Sequence, residues 1–428
     1  MYCQTNNTTT NFPIILFMFS LFINRLNSMR HPPSQRLFQI KNSLLPMAYT
    51  VSHPHSTHTP HTKQFDLGTD EVAMSISPNG VYHIELNRPK QLNAFNLQMS
   101  GGMYSALSQI KDYDPCKVIV LTGKGDKAFC AGGDVRNITK FVPEAAKFFF
   151  GSEYQVDYMT SLIKKPHISI WKGIVMGGGV GLSIRSHFRV CTDSTTFAMP
   201  ETMIGLFPDV GVSYELSRLR DGVGLYIGLT SQRLNPQDLM HLGLATHYIP
   251  LNNVQPFIDD LKATQFDSQK SHFEIVDNVI GKHTSGHTPP TQPNLSHEKL
   301  SKIKKYFSQT TTLNDLLALL NKNKNDPFCL ETLETLQDRC PTSCAVFFKE
   351  YHMASNMTLK DVLKLDYKIS QSFAYNPNFK EGVRARLVDK DNNPKWTPTT
   401  FEEIDDREID RLIECDWGES LDILDQIH

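Results

Sequence analysis

Residues 168–183 read ISIWKGIVMGGGVGLS. The first four, Ile168 to Trp171, are apolar apart from one serine and stop at Lys172–Gly173. A short apolar run bounded in this way predicts a buried strand. Met176–Gly177–Gly178–Gly179–Val180–Gly181 then makes a glycine-rich turn. Glycine lets the backbone come close to a ligand and adopt angles that a side chain forbids. A strand running into such a turn delivers a backbone N–H to a ligand oxygen.

The same pattern stands upstream. Val118–Ile119–Val120–Leu121 is apolar on both faces and ends at Thr122–Gly123, a second predicted strand. It leads to the turn Phe129–Cys130–Ala131–Gly132–Gly133–Asp134. A third strand is predicted at Phe188–Arg189–Val190–Cys191. One glycine turn can be tight packing. Two, each behind a buried strand, point to two converging N–H donors, as an oxyanion hole requires. The rival is a phosphate cradle, but the second turn lacks the Lys–Ser/Thr of a P-loop, and neither turn has G-x-G-x-x-G spacing.

Downstream, FAMPETMIGLFPDVG (197–211) sets Glu201 and Asp209 in apolar, Pro- and Gly-marked surroundings. A carboxylate there is costly unless paired or used, and burial raises its pKa into a catalytic range. The alternative is structural: Glu201 and Asp209 each capping a helix.

The remaining pattern is α/β. Val72–Ile76 and Val81–Leu86 flank Pro78–Asn79–Gly80, a hairpin signature. Phe95 to Tyr113 has helical spacing, weakened at Gly101–Gly102. Strands alternating with helices give an α/β architecture. After Gln255, Leu and Phe recur at helical spacing, as in Leu313–Leu316–Leu317–Leu320; Tyr351 to Phe373 predicts another long helical region. Residues 283–296 form a Pro- and Thr-rich loop. There is no internal repeat.

Composition narrows the partners. The 428 residues carry a net charge of -2, with no basic excess calling for nucleic acid. The 8 cysteines are scattered; Cys340 and Cys344 lack C-x-x-C spacing, so free thiols in a reducing compartment are expected. No cluster has metal-ligand spacing, so no metal is expected. His53, His55, His58 and His61 lack carboxylate or cysteine partners, and their surroundings predict a linker. Residues 1–65 contain no Asp or Glu but do contain Arg25, Arg30, Arg36, Lys41 and Lys63. Such an acid-poor, hydroxyl-rich leader predicts a mitochondrial targeting segment. The apolar run Phe12 to Ile23 is too short to span a membrane, and no stable membrane insertion is expected.

Together the two glycine turns and the carboxylate segment resemble the crotonase (enoyl-CoA hydratase/isomerase) superfamily. MGGGVGLS, FAMPETMIGLFPDVG and the late EGVRARLVDKDNNPKW (381–396) are similar in particular to its branch that hydrolyses 3-hydroxyacyl thioesters of coenzyme A. The likeness runs from about Val72 to Trp396. It implies a ClpP/crotonase-like spiral core of ββα units over 67–257, a helical C-terminal region over 258–428, and a leader over 1–66. It also implies hydrolysis of 3-hydroxyisobutyryl-CoA, and of 3-hydroxypropionyl-CoA, in valine breakdown within the mitochondrial matrix. Coenzyme A would be part of the substrate and no cofactor would be needed; the partner is a small acyl-CoA, with room for a homo-oligomer.

Carried over by position, the amides of Gly133 and Gly178 match the oxyanion donors and Glu201 the catalytic carboxylate. Asp209 matches the second acid of the hydrolases, and Glu153 an acid that contacts substrate; the preceding Ser152 departs from the Glu common in the branch. Hydratases carry a further catalytic glutamate where this chain has Gly181, which disfavours hydration of a C=C bond. The alternatives are a hydratase or isomerase and a non-catalytic hydrolase-like subunit of mitochondrial ribosomes. Arg88, Lys90, Lys124, Lys127 and Arg136 stand near the loops that would meet coenzyme A phosphates, and 381–396 would close the C-terminal part near the acyl pocket.

Overall fold

The computed structural model describes residues 65–139, 143–266, 269–415 and 421–427. The acid-poor leader and His-rich linker fall outside these residues, as does the mitochondrial segment read from them. Residues Thr69–His428 form one compact unit.

Its frame is a six-stranded sheet. Strands β1 (Val72–Ile76) and β2 (Val81–Leu86) form the expected antiparallel hairpin. Gly80, at φ +92°, makes the turn between them. From β2 onward the pairing is parallel, through β3 (Val118–Gly123), β5 (His167–Trp171), β7 (Phe188–Cys191) and β9 (His247–Tyr248). A second sheet of three short parallel strands joins β4 (Ala128–Cys130), β6 (Ile174–Met176) and β8 (Thr196–Ala198). Each pair β3–β4, β5–β6 and β7–β8 thus bends from the large sheet into the small one.

Strand β3 is buried at every position. Val118 and Val120 pack with Ile168, Ile170, Phe257 and Ile280 in the core between the large sheet and the helices that follow it. Each such side chain contributes about 1.5–3 kcal/mol by leaving water. Parallel strands covered on both faces explain the continuous apolar runs of the sequence.

Helix α1 covers Leu97–Ile110, shorter than the expected 95–113, because Asn96 caps it by accepting from the Met99 N–H at 2.9 Å. Helix α2 is the short Val135–Ile138, and α3 runs Pro143–Ser161. The long helical region expected from Tyr351 to Phe373 spans two helices. One, Pro341–Ala354, stops before Thr358, whose hydroxyl accepts from Asp361 N–H at 3.2 Å and starts the next, Leu359–Tyr375. This second helix packs on α3, and that contact brings C-terminal carboxyls to the centre of the molecule. Among the described residues no helix is long and apolar enough to cross a membrane.

Candidate active site

The two glycine turns meet because β4 and β6 are parallel neighbours. Gly132 (φ +100°) and Gly177 (φ +49°) both use backbone angles that side chains resist. A β-carbon on Gly178 would stand 3.4 Å from the Gly133 nitrogen and would collide with Glu153 Oε1. One on Gly177 would stand 2.6 Å from Glu201 Oε1. The predicted residues Gly133, Gly178, Glu153 and Glu201 therefore line one small space. Neither the Gly133 nor the Gly178 N–H donates to a backbone or side-chain acceptor among the described residues. Beside the first turn, Phe149 lies over Gly133 and lines a cavity of about 170 Å³ with Asn96, Leu97, Asp134 and Asn137.

The acids are buried. Glu153, Glu201 and Asp209 are 2%, 5% and 4% exposed. Glu201 opens a 3-10 turn, Glu201–Met203, directly after Pro200; no side chain caps that turn. Asp209 does not cap either. Its Oδ2 accepts from the Tyr154 hydroxyl at 2.7 Å, and the helix after it, Val212–Leu216, begins at Gly211 without a side-chain cap. Neither carboxyl caps a helix, so the capping alternative does not hold.

Helix α3 is buried on nearly every face from Gly151 to Thr160, although it carries Glu153, Gln155, Asp157 and Thr160. Glu153 and Asp157 lie one turn apart, on the same side. Oxygens of Glu153, Asp157 and Glu201 have no hydrogen-bond partner among the described residues. Burial pushes the Glu153 carboxyl well above the usual range, with the charges of Asp157, Asp209 and Glu201 adding to it. Burial, then the charge of Asp209, does the same to Glu201. Asp209 is pushed up to about 6 by burial, against the pull of the Tyr154 hydrogen bond. Perturbed acids clustered around a shared space mark a functional site more often than a structural one.

The sequence reading did not find the outer layer. Asp157 is fully buried beside the second glycine turn, and Asp366 and Glu350 are fully buried within reach of the Asp209 charge. Burial, then the charge of Asp366, pushes the Glu350 carboxyl well above the usual range, and burial pushes Asp366 up to about 7. Glu350 accepts from the Ser213 hydroxyl. Arg185 forms a bidentate pair with Glu215, at 2.9 and 3.0 Å. The only local signal for any of these was the Glu153/Asp157 spacing; Glu350 and Asp366 sit on helices more than 130 residues away.

The basic residues divide. Arg88 pairs with Asp134 at 3.1 Å and Glu71 at 3.3 Å. Lys90, Lys124, Lys127 and Arg136 are exposed. The segment 381–396 packs on the Glu201 loop: a β-carbon on Gly382 would collide with the Ile204 backbone. Among the described residues no group of three or more His, Cys, Asp or Glu could hold a metal ion.

A family model described as enoyl-CoA hydratase/isomerase matches residues 81–413. The 3-hydroxyisobutyryl-CoA hydrolase, mitochondrial, of Xenopus tropicalis is 39% identical over 332 residues, 76% of this chain and 84% of that protein. Its Homo sapiens counterpart is 36% identical over 355 residues, 82% and 90% of the two chains. Among solved structures, a carnitinyl-CoA dehydratase from Mycobacterium thermoresistibile superposes with a TM-score of 0.74 at 30% identity, covering 82% of this chain and 98% of its own. An enoyl-CoA hydratase from Rhodobacter sphaeroides gives 0.72 at 26% identity, covering 82% and 99%.

Proposed function

The chain belongs to the enoyl-CoA hydratase/isomerase family, and from that premise we infer that it hydrolyses the thioester of 3-hydroxyisobutyryl-CoA in the mitochondrion. The relatives that share most of its length carry that activity and that location in their names. The observation that carries the reading is the shared space between the Gly133 and Gly178 amides, with the buried Glu201 carboxyl against the second turn.

In this reading the thioester oxygen sits between the two N–H groups, where negative charge develops as the carbonyl is attacked. Each such donor lowers the barrier by about 3–4 kcal/mol, roughly 100- to 1000-fold in rate. Glu201 either attacks the carbonyl to form a mixed anhydride or draws a proton from the attacking water. Asp209 and Glu153 bind the 3-hydroxyl of the acyl chain. A site built to hydrogen-bond a hydroxyl rejects the analogue without one, because its own buried groups are left unpaired.

Hydration is disfavoured by the packing at Gly181. A β-carbon there would stand 2.6 Å from Val210 Cβ and 2.7 Å from Asp157 Oδ2, so the glutamate that the hydratase resemblance places here does not fit. The test compares three substrates. The purified chain should release free CoA from 3-hydroxyisobutyryl-CoA much faster than from isobutyryl-CoA, and should not hydrate crotonyl-CoA. Equal rates on the hydroxylated and plain thioesters would remove the roles of Asp209 and Glu153. A single turnover in ¹⁸O water separates the two routes: label in the Glu201 carboxylate supports the anhydride, and its absence leaves the general base.

A further inference from the structure

Val210 is a β-branched residue at φ +58°, next to Asp209. Left-handed backbone at such a residue costs of order 1–3 kcal/mol and persists only where the surroundings enforce it. The surroundings here are two buried charged groups. Arg185 Nη2 donates to the Val210 carbonyl at 3.0 Å, and Nη1 donates to the Gly181 carbonyl at 3.3 Å. On the other side, Asp366 Oδ2 accepts from the Gly211 N–H at 2.6 Å. The Arg185 side chain is 6% exposed and Asp366 is fully buried. Arg185 is itself held by both oxygens of Glu215.

We propose that Arg185 and Asp366 are positioning residues that clamp Val210–Gly211 in left-handed backbone and so aim the Asp209 carboxyl at the site. The guanidinium also spans the two halves of the machinery. Its Gly181 contact is the end of the short helix Gly178–Gly181, whose first residue is the second glycine turn's proposed donor. One side chain thereby fixes the spacing between the oxyanion amide and the second acid. Misplacing a group by about 1 Å can cost roughly 100-fold in rate, so the clamp acts on catalysis without touching substrate. This rests on the hydrolase reading for its consequence, but not for the clamp itself.

A double-mutant cycle tests it. Glycine adopts the left-handed angles unaided, so a chain with Val210→Gly no longer needs holding. Asp366→Ala should lower kcat for 3-hydroxyisobutyryl-CoA by roughly 10- to 100-fold with little change in KM. In the Val210→Gly background the same change should cost several-fold less, and the melting temperature should fall less too. Arg185→Lys, which keeps the charge but loses the two-pronged geometry, enters the same cycle if the alanine chain does not fold. Losses that simply multiply in both readouts would overturn the clamp. Coupled melting temperatures with multiplying kcat losses would overturn its role in catalysis. A wild-type chain that releases no CoA would instead remove the hydrolase reading, and the melting cycle would still decide the clamp.

Discussion

Two acid-rich regions of this molecule behave in opposite ways. At the surface, Arg384 donates to Glu381 at 2.8 Å, Asp389 at 2.7 Å and Asp391 at 2.6 Å. Those hydrogen bonds hold the Glu381 and Asp391 carboxyls below the usual range. In the interior, Glu153, Asp157, Glu201, Asp209 and Asp366 share one neighbourhood, and every one of them is pushed up, first of all by burial. Solvent and a dedicated cation make the first set inexpensive. The second set lies out of solvent, and the charge of Arg185, itself paired with Glu215, offsets the burial of Asp157 and Asp366 only in part. Buried acids whose charge is only partly compensated lower stability, and a site that must hold and move protons is where such a cost is retained.

The contrast sharpens first at the point where the interior acids meet the glycine turns. Gly178→Ala forces a β-carbon into Glu153 Oε1 and displaces the second amide. The expected loss in kcat is roughly 100- to 1000-fold, read by free-thiol release under saturating substrate. A loss of less than about threefold would separate that amide from the chemistry.

Asp209→Asn addresses the charges. The Asp209 carboxylate raises the Glu201 pKa, so its removal lowers it. Glu201 must be ionised to act. The rising limb of kcat/KM against pH should therefore move to lower pH, whatever the loss in height. A limb that stays in place or moves up would contradict the coupling.

How much of this the sequence disclosed follows from distance along the chain. The strands before the glycine turns were legible because parallel strands buried on both faces leave long apolar runs such as 118–121. Glu201 and Asp209 were legible because carboxyls rarely stand in apolar, Pro-marked surroundings. Asp366 and Glu350 were not. They sit in amphipathic helices whose pattern shows which face is buried, but not that a buried acid on that face meets residue 211. The helical region read from Tyr351 to Phe373 does not show its break at Ser355–Thr358, because the apolar spacing continues through it and only the Thr358 cap marks the restart. Arg185 was missed because an arginine near the surface of a sequence pattern looks solvated; its 6% exposure is a product of the fold.

A smaller effect concerns stability. The Glu350 carboxyl lies well above its usual range, because of burial and then the charge of Asp366. Below about pH 4 it is neutral in both folded and unfolded chains. As pH rises, ionisation is easy only in the unfolded chain, and the folded state loses stability. Glu350→Gln should therefore match the wild type at acid pH and melt a few degrees higher at pH 8. A glutamine chain that melts lower at pH 8 would show that the Glu350 carboxyl is not held above its usual range in the folded chain. The smallest effect is expected at the surface. Arg384→Ala should leave kcat unchanged and shift melting by about 1 °C or less, since exposed pairs are screened. A large loss of activity there would erase the distinction between the two regions.

The most direct measurement is free-CoA release from 3-hydroxyisobutyryl-CoA by the purified wild-type chain beside Glu201→Gln. The account predicts steady turnover by the wild type and a loss of roughly 1000-fold or more in the glutamine chain, with its melting temperature preserved. Turnover that survives the substitution would contradict it.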